Sequence, residues 1–243
     1  VAEHEQDFGV ALSRYEKSAD LQQSPHTYCK IREARKRLVK ARLIASDTDE
    51  DLRLSSKAFG LDPEGTINPR SLIDYARDRY AKARADREND PDRLSRIKDL
   101  LIKAARKCQG GDRDSEASYL LWSAGECVRL SKGSLDEGLK LYAESARIQH
   151  YENRVSWLCR KIVRLRPGEA VGCFISLVND GVPEGQLLDE LAVYCENLKS
   201  TLPVSVVEAL ELLIDKYHEN ANHSKLKAFV NYQKRLKADK VYN

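Results

Sequence analysis

Three dipeptides, Ser24-Pro25, Asn68-Pro69 and Asp90-Pro91, punctuate the chain at intervals that suit helices joined by short turns. Each sets an N-capping side chain directly before a proline at the first helical position, where the missing N–H costs nothing. Ser134 with Glu137, and Ser205 with Glu208, have the SxxE spacing in which hydroxyl and carboxylate cap the helix start reciprocally. Stops are as plain: Gly110-Gly111, Gly133 and Asn179-Asp180-Gly181 supply residues that accept a left-handed backbone. Strand alternation is nearly absent, because even the β-branched run Val206, Val207, Leu210, Leu213, Ile214, Tyr217 steps by three and four. The expectation is an all-α chain with helices over 4–22, 25–46, 49–60, 69–88, 91–108, 115–131, 135–149, 154–165, 169–178, 183–199 and 205–219. A twelfth is expected over 224–240. The Gly/Pro-rich segment 60–68 is the best place for a bend in what otherwise reads as one elongated domain over 1–243.

Composition supports helices that each expose a polar face, with hydrophobic residues at 42% and charged residues at 33%. The balance of 41 Lys+Arg against 38 Asp+Glu is too even to argue for nucleic acid or an anionic membrane, so any such case must be local. There is no apolar run of membrane-span length, and the start VAEHEQDFGVAL lacks a basic head and an apolar centre. A soluble, cytoplasmic or nuclear protein is expected. Six cysteines lie apart, with no CxxC pair and most on apolar helix faces, which reads as reduced core thiols.

Two segments align without gaps, Ala11 to Gln22 (ALSRYEKSADLQ) and Gly138 to Gln149 (GLKLYAESARIQ). In each, a small residue is followed by Tyr at i+4, a small residue at i+7 and an aliphatic at i+10, which puts an aromatic knob between two close-approach points on one helix face. Ala76, Tyr80 and Ala83 repeat the spacing. Trp122 stands sixteen residues before Gly138, with Gly133 between them. This pattern resembles the second helix of a tetratricopeptide repeat, and Ala117 to Gln149 is the best single hairpin of that kind. Ala58 to Pro63 and Ile162 to Pro167 resemble the repeat's terminal turn and proline. Gly125-Glu126 stands where that family has Leu-Gly, Arg129 replaces an aromatic, and the matches are not spaced by multiples of 34. The resemblance therefore implies antiparallel hairpins stacked as an irregular TPR-like solenoid; a closed helical bundle is the alternative.

Chemistry-bearing motifs are missing: there is no phosphate loop, dinucleotide fingerprint, HExxH or GxSxG. His4, His26, His150, His218 and His223 are scattered, so neither a metal set nor a Cys/His pair assembles. No cofactor or metal is expected, and the chain reads as a binding protein, not an enzyme. Carboxylates alternate with cations, as in Arg77-Asp78-Arg79, in the manner of solvated faces. The sharpest charge bias is 30–42, where Lys30, Arg32, Arg35, Lys36, Arg37, Lys40 and Arg42 meet only Glu33. Burial of Ile31, Ala34, Leu38 and Ala41 would leave that basic shell exposed, either balanced by acids at 47–51 or offered to a partner. A second basic cluster lies on 225–240 with Phe229 and Tyr232 among it.

Stacked hairpins leave a concave surface that holds an extended peptide or partner helix. The expected function is accordingly a protein-interaction scaffold or adaptor. An RNA- or anionic-membrane-binding protein using 30–42 and 225–240 is the alternative. Candidate partner-binding residues are Lys30, Arg35, Arg37, Arg42, Arg129, Arg154, Arg160 and Lys161.

Overall fold

The computed structural model describes residues 2–108, 113–148, 158–162, 170–179, 184–196, 204–216, 224 and 226–234. All regular elements among them are helical: α1 (Ala2–Leu21), α2 (Pro25–Lys40), α3 (Thr48–Leu61), α4 (Pro69–Ala85), α5 (Pro91–Cys108), α6 (Asp114–Leu130), α7 (Leu135–Ile148), α8 (Ala170–Asn179), α9 (Glu184–Glu196) and α10 (Val204–Lys216). Residues 158–162 and 226–234 are helical as well. The chain divides into two compact units, Val1–Ser145 and Ala146–Asn243. That division falls within α7.

Local chemistry sets the helix starts. Ser24 accepts the Thr27 amide at 3.1 Å, Asn68 the Arg70 amide at 3.1 Å, and Asp90 the Asp92 amide at 2.9 Å. Asp47 does the same for α3, holding the Asp49 and Glu50 amides at 3.0 Å. The Ser134 cap is only half a box: its hydroxyl faces the Glu137 amide at 3.5 Å, while the Glu137 carboxylate turns to Lys98 at 2.7 Å. Ser205 lies inside α10, which begins one residue earlier. Gly110-Gly111 and the Asn179-Asp180-Gly181 turn fall largely outside the described residues.

The helix ends hold the main departure from the sequence reading. Helices α2 and α4 stop at Lys40 and Ala85, short of the expected 46 and 88. At each of α2, α4 and α6 a cationic residue takes a left-handed backbone: Arg42 at φ 61°, Arg87 at φ 53° and Lys132 at φ 55°. The next amide then reaches back to close the helix, Leu43 to the Leu38 carbonyl, Glu88 to that of Ala83 and Gly133 to that of Val128, at 2.8 to 2.9 Å. These three residues stand 45 positions apart, so the first unit is built from hairpins of that period, α2–α3, α4–α5 and α6–α7. Core positions follow the same period: Tyr28, Ile73 and Ser118, then Ile31, Ala76 and Leu121, then Leu38, Ala83 and Val128 are all buried. Helices adjacent in sequence pack together from α1 through α6, and the first helices α2 and α4 also touch.

The α6–α7 hairpin is locked by reciprocal hydrogen bonds, Ser118 Oγ to the Ser145 carbonyl at 2.7 Å and Ser145 Oγ to the Ser118 carbonyl at 2.6 Å. Tyr142 lies against Gly125, tilts on Trp122 with centroids 4.6 Å apart, and donates its hydroxyl to Glu126 at 2.6 Å. The matched segments around Tyr15 and Tyr142 do not share this environment, because Tyr142 is 1% exposed and Tyr15 36%. Ala76, Tyr80 and Ala83 belong to α4, a first helix of its hairpin, so the third copy of the spacing is not equivalent in position either.

Segment 60–68 is a tied turn around Asp62. Its buried carboxylate accepts the Thr66, Ile67 and Asn68 amides at 2.8 to 3.1 Å and the Thr66 and Ser71 hydroxyls at 3.1 and 3.2 Å. Burial alone would raise its pKa, but these donors hold it below the usual aspartate value. In the second unit, Phe174 on α8 stacks with Tyr194 on α9 at 6.4 Å, and Leu158, Ile162, Leu191, Leu210 and Leu226 are buried. No helix among the described residues is long and apolar enough to cross a membrane.

Candidate functional site

The first helices of the three hairpins carry the charge that the sequence spread along the chain. Helix α2 winds so that Ile31, Ala34 and Leu38 face the core, and this rotation also turns Arg32 inward, leaving it 4% exposed. A lone buried guanidinium would cost several kcal/mol. Helix α4 answers it with two carboxylates one turn apart, Asp74 and Asp78, exposed by only 4% and 3%. Arg32 Nε donates to Asp78 at 2.5 Å, its Nη2 contacts the second Asp78 oxygen, and its Nη1 lies 2.7 Å from Asp74 Oδ1. The Asp74 contact lacks the alignment of a hydrogen bond and acts as an electrostatic contact.

The two carboxylates are consequently unlike. Burial pushes the Asp74 pKa up beyond what Arg32 and Arg70 take back, whereas the forked hydrogen bonds and charge of Arg32 hold Asp78 below its ordinary value despite burial. Burial, reinforced by the Arg32 charge, lowers the pKa of Lys36, whose Nζ stands 3.4 Å from Asp78. Burial first and the Asp74 charge second push the Cys29 thiol up to about 12, which leaves it a packed, unreactive group.

Above this buried pair opens a groove of about 510 Å3 whose walls are α2, α4 and the start of α6. Helix α2 brings Lys30, Lys36, Arg37 and Lys40 to it; α4 brings Arg70 and Arg77, and Arg113 stands at the N-terminus of α6. Glu33 ties Lys30 at 3.2 Å and Arg37 at 2.7 Å, and Glu116 on α6 takes Arg70 and Arg77 at 2.8 and 3.0 Å. Among the described residues these eight cations, Arg32 included, face Glu33, Asp74, Asp78 and Glu116, with Asp51 also acting on Lys36 and Arg32, which leaves an excess of three positive charges. Arg32 and Arg77 are one 45-residue period apart, and each reaches a carboxylate on the next first helix, so the groove floor is a ladder of ion pairs between hairpins.

Neither a protein-family model nor a curated protein matches this chain. A solved structure described as "Computational Design of Self-Assembling Cyclic Protein Homooligomers" aligns over 97% of this chain and 92% of its own at 12% identity, with a TM-score of 0.23. A likeness that low carries no argument, and the site stands on its own geometry.

Of the residues singled out from the sequence, Lys30 and Arg37 line the groove. Arg35 is half-buried with its Nε enclosed, and Arg42 is exposed at the left-handed end of α2. Arg129 pairs with Glu126 at 2.8 Å on α6, away from the groove lining. Arg160 is exposed and Lys161 half-buried in the second unit, and Arg154 lies outside the described residues. In the C-terminal cluster Phe229 is buried, Tyr232 is exposed and Lys234 pairs with Glu211; Lys225 and residues 235–240 lie outside what can be described. The expectation that 30–42 is a uniformly exposed basic shell fails at Arg32, and the solvated reading of Arg77-Asp78-Arg79 fails at Asp78. Of the acids at 47–51, Asp47 caps α3, Asp49 pairs with Lys82 and Glu50 with Arg53, while Asp51 acts on Lys36, Arg32 and Arg35 of α2. Arg70, Arg77, Arg113 and Glu116 were not singled out as a site; the signal for Arg77 was its place one 45-residue period after Arg32.

Among the described residues no group of His, Cys, Asp and Glu is placed to hold a metal ion. The described cysteines are free thiols.

Proposed function

We propose that this chain is a non-catalytic interaction module, a scaffold or adaptor whose first unit holds an acidic, extended segment of a partner protein in the α2–α4–α6 groove. The observation that carries the reading is the excess of three positive charges, among the described residues, on a surface formed by successive first helices. Stacked hairpins present that surface as a channel, and an extended peptide can place alternate side chains along it. Glu116, itself mostly buried, holds both Arg70 and Arg77, so part of the cost of ordering those two side chains is met before a ligand arrives. Glu33 and Glu116 oppose a continuous run of phosphates. The groove rings that a nucleobase would need are few, since Arg77 already sits over the Tyr119 ring at 5.3 Å.

The test is fluorescence anisotropy with a labelled 12-residue peptide of alternating Glu, Asp and Ala, against a 12-nucleotide single-stranded RNA. The peptide is expected to bind, to weaken with salt, and to lose about tenfold in affinity in the K36E/R37E/K40E variant. RNA bound more tightly than the peptide, with the same variant abolishing it, would refute the reading.

A further inference from the structure

At the α6 end of the groove, Arg70, Arg77 and Arg113 converge on an opening of about 450 Å3 lined also by Ser115 and Tyr119. The Oε1 atom of Glu116 accepts from Arg70 Nη1 at 2.8 Å and from Arg77 Nη1 at 3.0 Å. A place for one anionic oxygen between two guanidinium groups therefore already exists, filled by a side chain of the protein itself. The Arg77 guanidinium lies over the Tyr119 ring, 5.3 Å from its centroid.

The charges do not close. Glu116 supplies one negative charge against three arginines. Asp74, 3.9 Å from Arg70, is already engaged by Arg32, and Arg113 makes no ion pair among the described residues. Among the described residues two positive charges are left over. A carboxylate or a phosphodiester brings one negative charge, whereas a phosphate monoester brings about 1.5 to 2 at pH 7 together with three acceptor oxygens. Guanidinium forks match those oxygens in geometry, and the Ser115 hydroxyl adds a donor at the same mouth.

We propose that the Arg70–Arg77–Arg113 pocket binds a phosphate monoester carried as phosphoserine or phosphothreonine in the acidic partner segment. This rests on the groove reading and narrows it, making the first unit a reader of a phosphorylated protein. Glu116 competes with the phosphoryl group for Arg70 and Arg77, and so discriminates against ligands that offer only a single charge.

The experiment compares three labelled 12-residue acidic peptides, identical except for a central Ser, Glu or phosphoserine, on the full chain at fixed salt. The phosphoserine form is expected to bind about tenfold more tightly than the Glu form. R77Q/R113Q removes that preference, and E116Q tightens the phosphoserine form while narrowing its lead over the Glu form. Equal affinity of the phosphoserine and Glu peptides overturns this inference and leaves the groove reading standing. Binding of neither peptide overturns both. Tighter binding to the 12-nucleotide RNA, or to phosphatidylcholine vesicles containing phosphatidylinositol 4-phosphate, than to the phosphoserine peptide overturns the assignment to a phosphorylated protein.

Discussion

Replacing Arg32 by Met removes the cation from the floor of the groove and keeps its aliphatic stem. The substitution leaves Asp74 and Asp78, both nearly fully buried, one helical turn apart, with Lys36 at 3.4 Å from Asp78 and Arg70 at 3.9 Å from Asp74 as the remaining cations. Breaking a buried ion pair from one side costs about 3–5 kcal/mol. An independent ceiling comes from protonation: a carboxylate with an ordinary pKa of 3.8 escapes its burial at pH 7 by taking up a proton, at about 4.4 kcal/mol. The two figures agree, so Arg32→Met should remove about 3–5 kcal/mol at pH 7, a large share of a typical domain's stability. At pH 5 the proton costs only about 1.6 kcal/mol, and the loss should shrink to below about 3 kcal/mol.

The native network has its own acid limb. Asp78, with its pKa lowered, contributes stability that is complete above 3.8 and is lost as pH falls through the folded value. Asp74, with its pKa raised, works in the opposite sense, favouring the fold less as pH rises above 3.8. The assay is urea unfolding followed by Trp122 fluorescence in a Trp157→Phe background, because Trp157 belongs to the second unit and would report a different transition. Replacing all three groups, as Arg32→Met/Asp74→Leu/Asp78→Leu, should recover stability to within about 2 kcal/mol of the parent. A loss under about 1 kcal/mol at pH 7, a loss unchanged at pH 5, or a triple variant worse than the single one refutes the reasoning.

Gly125→Ala should cost about 1–3 kcal/mol, because its Cβ would stand 2.6 Å from Tyr142 Cε1, a ring held by Trp122 and Glu126. Gly138→Ala, whose Cβ meets nothing closer than 3.7 Å, should gain about 0.5–1 kcal/mol; urea midpoints of the same sign for both would sink this packing account. Asp62→Asn should cost about 2 kcal/mol and flatten the acid limb below pH 4, since a carboxylate with a lowered pKa supplies stability above 3.8 that fades as pH falls; an unchanged acid unfolding profile would count against it. Burial pushes Cys108 up to about 11 and Cys29, Cys127 and Cys195 up to about 12. A disulfide reagent at pH 8 should therefore leave these four unmodified in the folded protein and modify them after urea unfolding, and their rapid labelling in the native state would contradict the assigned burial.

The all-helical architecture was legible in the residues because capping is local. Ser24, Asn68 and Asp90 each bond an amide two or three positions away, so nothing distant is needed to recognise them. Helix ends were less legible where a cation took the place of glycine. Arg42, Arg87 and Lys132 adopt left-handed backbones that their side chains do not advertise, and the 45-residue period that they mark was hidden with them. The likeness of the Tyr15 and Tyr142 segments was a true helical pattern with a misleading implication. The pattern specifies a face but not what covers it, and only Tyr142 lies between Gly125 and Trp122.

The charge cluster at 30–42 could be read from the sequence as basic, but not sorted. Arg32, Arg35 and Arg37 are the same residue type within six positions. The structure makes one a buried anchor, one a half-buried side chain and one a wall of the groove. What the sequence by itself determined was the helices, their polar and apolar faces, and the excess of cations along α2, because each follows from neighbours a few bonds or one turn away. What only the tertiary structure decided was which cation meets which carboxylate, Arg32 with Asp74 and Asp78, Arg70 and Arg77 with Glu116. Electrostatic energy depends on distance through space and on burial, and both are set when one hairpin packs on the next.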